Sequence, residues 1–314
     1  MRWSRAAVFV AALFLAGCTN QVGGTALSDP GYVSPTRGSS ALALIGQAGT
    51  LDACSLIEPA ALIQFGTAEK PQQESYDYCW LRMPVGPASV AVRFGLLERI
   101  RSVGELPAKE IEPVGGLRIF EEAPVPDRCA RYILFSDGIT MAVSADTRDT
   151  PGKNISQLCS VTEKTTTSIA ENIAARKIAH HQYEPTSLGT LDACDAVTVS
   201  LAQVPGLAAG EVTTYPAHHQ CRWGSVTVPS LTLRYVLDEP SDAPEVKRES
   251  IAGRQTGIYN VEVNGRTLCV AEVKQGKGRE LAQVIVRLAP GSAEAACAAA
   301  RTVAAEVWSK LPAP

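Results

Sequence analysis

Eight paired-off cysteines, four histidines and two strand arginines are the residues whose types and spacing could do chemistry in this chain. Cys18 stands alone near the N-terminus. The other eight form two sets of four: Cys54, Cys79, Cys129 and Cys159, then Cys194, Cys221, Cys269 and Cys297. Intervals run 25, 50 and 30 residues in the first set and 27, 48 and 28 in the second. Thiolate metal sites use close pairs of the Cys-x-x-Cys kind, which do not occur, so neither metal nor redox chemistry is expected. An even set per repeat in an exported chain reads as a disulfide framework. Four cysteines allow three pairings, and spacing alone does not choose among them. The pairing adopted is Cys54–Cys79 with Cys129–Cys159, and Cys194–Cys221 with Cys269–Cys297, which staples each terminal helix to a strand. Each bridge then closes a loop of 25 to 30 residues, worth ~3–4 kcal/mol in the chain-entropy account.

His180-His181 and His218-His219 could share a transition metal, but the plainer expectation is solvated loop histidines. Arg93 and Arg234 recur at matched positions of two alternating segments, on the face opposite the apolar residues. They are candidates for clamping an anionic ligand; the plainer expectation is a surface arginine paired with Glu or Asp. Glu121-Glu122 and Asp238-Glu239 read as solvated loops. There is no Gly-x-Ser-x-Gly, Walker, His-Glu-x-x-His or dinucleotide motif. No catalytic residue, metal or cofactor is therefore assigned, and the chain is not expected to be an enzyme.

The elements that position these residues come in two rounds. Gly-Thr-Leu-Asp-Ala-Cys occurs at residues 49–54 and again at 189–194. Leu56, Ile57, Ala60, Ala61 and Ile63 suit one short helix capped by Asp52. Val90, Val92, Phe94 and Leu96 alternate with smaller or polar residues, as do Leu231, Leu233, Tyr235 and Leu237: half-buried strands. Asp137-Gly138 marks a tight hairpin, replaced in the second round by a longer turn over 275–279. Helices over 161–179 and 298–311 close each round. The fold class expected is α+β: two tandem similar domains, each an antiparallel sheet with a short N-terminal and a longer C-terminal helix, disulfide-stapled. Domain 1 spans 49–180, a linker 181–188, and domain 2 spans 189–314.

Ahead of these, Arg2 and Arg5 precede an apolar run over 6–15, too short to span a bilayer as a helix. Residues 1–17 read as a signal peptide and 18–48 as a lipidated cysteine with a Gly/Ser/Thr/Pro-rich tether. The closing Leu15-Ala16-Gly17-Cys18 resembles the lipobox of bacterial lipoproteins. That resemblance implies lipidation of Cys18 and anchorage on the outer face of the cell membrane, where two or three buried chains hold durably. Net charge is −3, with no basic footprint for nucleic acid.

Cys54-Ser55-Leu56-Ile57, a later Cys beside a Trp, and the Ala-rich closing helix resemble actinobacterial cell-envelope lipoproteins. These, of mycobacterial and nocardial type, carry a Cys-x-Leu-Leu…Cys-x-Trp domain of unknown function, here in two copies. The second copy fits with Cys221-Arg222-Trp223. The first has Cys79-Trp80-Leu81, which turns its Trp to the other strand face. The function expected is a non-enzymatic, membrane-anchored module that binds a wall component, lipid or protein partner, with the inter-domain cleft as the ligand position. The alternatives are an envelope hydrolase or transferase with a site assembled from distant residues, or a purely structural accessory subunit.

Overall fold

The computed structural model describes residues 39–147, 155–207 and 210–313. Cys18, the leader and most of the tether lie outside the described residues. α1 (Ala41–Ile45) leads, followed by 3-10 helices at Ala53–Leu56 and Pro59–Phe65. Then come β1 (Gln72–Gln73), β2 (Cys79–Val85), β3 (Ala88–Arg99), β4 (Ala108–Val114), β5 (Leu117–Glu122), β6 (Arg128–Leu134), β7 (Ile139–Thr147) and α2 (Ile155–Ala174). The rest of the chain forms α3 (Ala193–Ala196), a 3-10 helix at Ser200–Gln203, β8 (Val212–Thr214), β9 (Gln220–Gly224) and β10 (Ser230–Leu237). It closes with β11 (Lys247–Ile251), β12 (Arg254–Val263), β13 (Arg266–Gln275), β14 (Glu280–Leu288) and α4 (Ala293–Lys310).

Two seven-stranded sheets result, ordered β1-β2-β3-β7-β6-β5-β4 and β8-β9-β10-β14-β13-β12-β11. Every pairing is antiparallel. Strand alternation decides which side chains go inward. Val90, Val92 and Phe94 of β3 are buried in the first core, and Leu231, Leu233 and Tyr235 of β10 in the second. Full burial of such a side chain stabilises by ~1.5–3 kcal/mol relative to exposure. α2 lies against β6 and β7, and α4 against β13 and β14. Leu158, Val161, Ile169 and Ile173 form the buried stripe of α2. α4 uses Ala296, Ala300, Val303 and Val307, small residues that let the helix sit close to the sheet.

Four disulfides join these layers: Cys54–Cys79, Cys129–Cys159, Cys194–Cys221 and Cys269–Cys297. Cα–Cα spans of 5.0 to 5.1 Å suit such bridges. Each second-type bridge ties a long helix to the strand beneath it, Cys159 of α2 to β6 and Cys297 of α4 to β13.

Local structure departs from or adds to the sequence reading in several places, and the first closing helix runs Ile155–Ala174 against the expected 161–179. The helix expected after Cys54 is two 3-10 turns, because Pro59 cannot continue a helix from its predecessors. Leu62 is buried there and Ile63 faces out at 64% exposure. Glu121-Glu122 lies in β5, where Glu121 accepts from Arg131 and Glu122 from the Tyr132 hydroxyl at 3.2 Å. The 181–188 stretch is no free linker: the His181 amide donates to the Thr50 carbonyl at 2.7 Å, and Leu188 is fully buried. Among the described residues, no helix is long and apolar enough to cross a membrane.

Candidate functional site

The two copies of the repeated hexapeptide meet. Short 3-10 turns at Ala48–Thr50 and Leu188–Thr190 touch each other. Next to them, Asp52 and Asp192 accept hydrogen bonds from the Cys54 and Cys194 amides at 3.0 and 2.7 Å. Close approach explains the glycines. A Cβ at Gly189 would stand 2.9 Å from the Tyr183 ring, and one at Gly49 would stand 3.1 Å from the Ala217 carbonyl oxygen. An open cleft of about 940 Å³ runs along this seam, walled by Gly49-Thr50 on one side and Gly189–Asp192 on the other. Arg99, His181, Tyr215 and His218 also face it, so it offers donors, acceptors and aromatic faces together.

All four histidines are tied down around this seam. His180 Nδ1 lies 2.9 Å from the Thr50 hydroxyl, and His218 Nδ1 lies 2.7 Å from Asp192 Oδ2. His181 stacks on Tyr183 at 5.5 Å between centroids. His219 corrects the solvated reading most sharply, being 1% exposed. Its Nδ1 is 2.7 Å from Asp77 Oδ1, and its Nε2 is 3.1 Å from the Gly189 carbonyl. Both ring nitrogens thus face oxygen atoms of the protein itself. The pair is a strut: Asp77 precedes β2 and His219 precedes β9, so it locks the two sheets' leading edges together. A Ser75–Val236 bridge, the Leu237 amide on the Glu74 carbonyl at 3.1 Å, and Tyr76 buried in the second core extend that lock. Burial pushes the Tyr76 and Tyr183 phenols well above their ordinary range. Among the described residues, no cluster of three or more His, Cys, Asp or Glu is arranged to hold a metal.

Arg93 and Arg234 do sit on strand faces opposite the cores, but not at matched points. Phe94 pairs across from Cys79, and Leu233 pairs across from Cys221. Counted from these half-cystines, Arg93 precedes the paired residue and Arg234 follows it. The counterpart of Arg93 is therefore Thr232, two residues before Arg234. A bulge in β3 follows between Phe94 and Leu97, where Gly95 takes φ +104°. Arg93 donates to Asp146 at 2.9 Å, the ion pair expected of a surface arginine. Arg234 instead donates to the Gln283 amide oxygen at 2.8 Å. The two tryptophans also part company. Trp80 lies outside the first core cluster, with Arg82 over its ring at 5.2 Å, whereas Trp223 belongs to the second core.

No family model matches this chain, and no curated protein matches it. Among solved structures it is similar to DynU16, a protein of the dynemicin biosynthetic locus, at 13% identity over 82% of this chain and 91% of that one, with a TM-score of 0.17. It is also similar to the apo immunity protein TplEi of the T6SS from Pseudomonas aeruginosa, at 9% identity over 77% of this chain and 94% of that one, with a TM-score of 0.23. Likeness at these scores bears on neither fold nor function.

Sequence inspection missed the meeting of the two hexapeptides and the Asp77–His219 strut, whose residues lie 142 positions apart. The available signal was the exactness of the hexapeptide, glycine included, which a capping role for Asp52 and Asp192 does not require.

Proposed function

We propose that this protein is an exported, non-enzymatic binding module of a bacterial envelope. It consists of two copies of one disulfide-stapled unit that hold a ligand in the cleft between them, and Cys18 carries the lipid that anchors it to the membrane. The observation that carries the reading is the cleft of about 940 Å³ whose walls come from both hexapeptide copies. Pockets form preferentially where two folded units meet, and His219 of the buried Asp77–His219 pair lines this one. The same strand order in both sheets, with the disulfides at the same places in it, supports two copies of one unit. Four disulfides support an oxidising compartment. The ligand class that suits the cleft is a mixed polar and apolar envelope molecule, able to use Arg99, His218 and the Tyr215 ring.

Native mass spectrometry of the full chain, purified in mild detergent after incubation with solubilised wall and lipid extract, tests this. A discrete species should stay bound to the wild type and be lost from Gln47→Trp, which places bulk at an exposed wall position with no side-chain cap to lose. Retention by the variant, or no retained species, would remove the cleft reading. Palmitate labelling should disappear in Cys18→Ser; a persisting label would remove the anchor.

A further inference from the structure

The face of the second sheet turned away from α4 carries arginines in a way the first sheet does not. Arg222 of β9 stands directly across from Thr232 of β10. Arg287 of β14 pairs with Ser230 and donates to the Thr232 hydroxyl at 3.0 Å. Arg234 follows Thr232 by two residues on the same face. Neighbouring strands lie ~4.8 Å apart and diagonal side chains ~7–8 Å apart, so three arginine positions surround Thr232 on this sheet face. All three are half-buried, and Arg266 shares their face.

None of the three has a carboxylate partner among the described residues. Arg222 donates to the Thr213 hydroxyl at 3.1 Å, Arg287 to the Thr232 hydroxyl and Arg234 to the Gln283 amide oxygen. The Arg222 Nε is buried with no hydrogen-bond partner. Gln283 stands between Arg234 and the nearest buried acid, Glu272, donating to that carboxylate at 3.1 Å. The Tyr215 phenol lies within electrostatic reach of Arg222 and Arg287, and of exposed Glu98. Burial, then the charges of Arg234 and Arg222, hold the Arg287 guanidinium below its ordinary range. In the first sheet the register position of Arg287 belongs to Asp146, which neutralises Arg93 and Arg128 at 2.9 and 3.7 Å.

We propose that Arg222, Arg287 and Arg234 form a binding site for a phosphate-class oxyanion on this sheet face. Three half-buried like charges repel one another unless an anion joins them. Each guanidinium has five donors and spends one on a neutral side chain, leaving planar forks of the shape that tetrahedral oxyanions accept bidentately. Three charges suit a multiply charged phosphoryl group better than a lone carboxylate. Such a group could be free in solution or be the headgroup of a lipid.

Isothermal titration of the full chain in neutral detergent separates these sources, with inorganic pyrophosphate in one arm and soluble dihexanoyl phosphatidic acid in the other. Saturable binding that weakens with salt is expected in at least one arm, and the tighter arm names the source. Arg222→Gln and Arg287→Gln should each weaken it about tenfold, and together should abolish it. Arg93→Gln, on the neutralised face, should stay within about twofold. Arg287→Lys keeps the charge without the fork and should bind more weakly than wild type while melting normally, so a misfolded Gln variant does not decide the matter. No saturable binding in either arm, unchanged binding in the double variant, or an equal loss in Arg93→Gln would overturn the site.

Discussion

The outer faces of the two sheets differ although the frames beneath them agree. In both sheets a half-cystine on the second strand lies across from an apolar residue of the third, Cys79 from Phe94 and Cys221 from Leu233. In both, another half-cystine on the strand under the long helix pairs with the last strand, Cys129 with Ala145 and Cys269 with Val286. One residue after Ala145 stands Asp146, and one residue after Val286 stands Arg287. On the first face Asp146 serves Arg93 and Arg128 and Glu110 holds Arg118 at 2.7 Å, while Arg82 lies over the Trp80 ring. The second concentrates positive charge beside hydroxyls and amides. Inward residues answer to packing and vary little in kind between the sheets, while the outward residues of the same strands are not held to it.

If the frames are equal, breaking them should cost the same. Removing Cys129–Cys159 or Cys269–Cys297 by paired Ala substitution should each destabilise by ~3–4 kcal/mol in urea unfolding under oxidising conditions. Costs differing by more than about 1 kcal/mol would break the equivalence. The seam between the halves comes next. Gly189→Ala drives a Cβ against the Tyr183 ring, itself wedged against Tyr76 at 5.4 Å, and should cost ~1–3 kcal/mol. Gly49→Ala, facing a single carbonyl oxygen at 3.1 Å, should cost less, and the reverse order would misplace the tighter side.

The helices differ in how they hold the segment after the first half-cystine. In α4, Glu306 accepts from the Thr198 amide at 2.8 Å and the Ser200 amide at 2.9 Å, and from both hydroxyls. Burial opposes its ionisation, but the Ser200, Thr198 and Lys310 donors outweigh that and hold it well below the usual carboxylate range. A depressed folded value means the stabilisation is whole above the unfolded range, ~4.3, and drains as pH falls below it. Glu306→Gln should therefore cost ~1–2 kcal/mol at neutral pH and progressively less in acid. In α2 the corresponding strap is neutral: the Asn172 amide donates to the Leu56 carbonyl at 3.0 Å. Asn172→Ala should cost ~1 kcal/mol with no pH dependence in that window. Parallel pH profiles for the two variants would erase the distinction. The smallest effect belongs to Asp146→Asn, at most ~1 kcal/mol, because Arg93 is 47% exposed and water screens the pair.

The frame was legible because cysteine spacing and period-two alternation are local signals, and Asp137-Gly138 marked the β6–β7 hairpin. The hairpins β4–β5 and β11–β12 were not read. Their outer strands, β4 and β11, are the sheet edges and carry Lys109, Glu110, Arg248 and Glu249, the charges that keep an edge from pairing with other chains. Those charges dilute the alternation that identifies a strand. Asn264-Gly265, with φ of 50° and 67°, was a strong hairpin signal for β12–β13 that was passed over. The site was harder. Whether Arg287 faces Asp or Thr depends on which strand lies beside β14, and that neighbour, β10, is some fifty residues earlier in the chain. The look-alike pairs Arg93-Phe94 and Arg234-Tyr235 made Arg93 the apparent twin of Arg234, when its register twin is Thr232.

The melting temperature of Arg287→Asp, with and without a saturating phosphate ligand (whichever of pyrophosphate and dihexanoyl phosphatidic acid binds more tightly), tests most directly whether the second face is an unneutralised anion site. This substitution gives Arg222 and Arg234 the carboxylate that Asp146 supplies in the first sheet. Without that ligand the variant should melt above wild type by about 2–4 °C, the shift that ~1 kcal/mol gives a chain of this size. The ligand should raise wild type and leave the variant where it is. A variant that melts below wild type, or a wild type that the ligand does not move, would contradict the account.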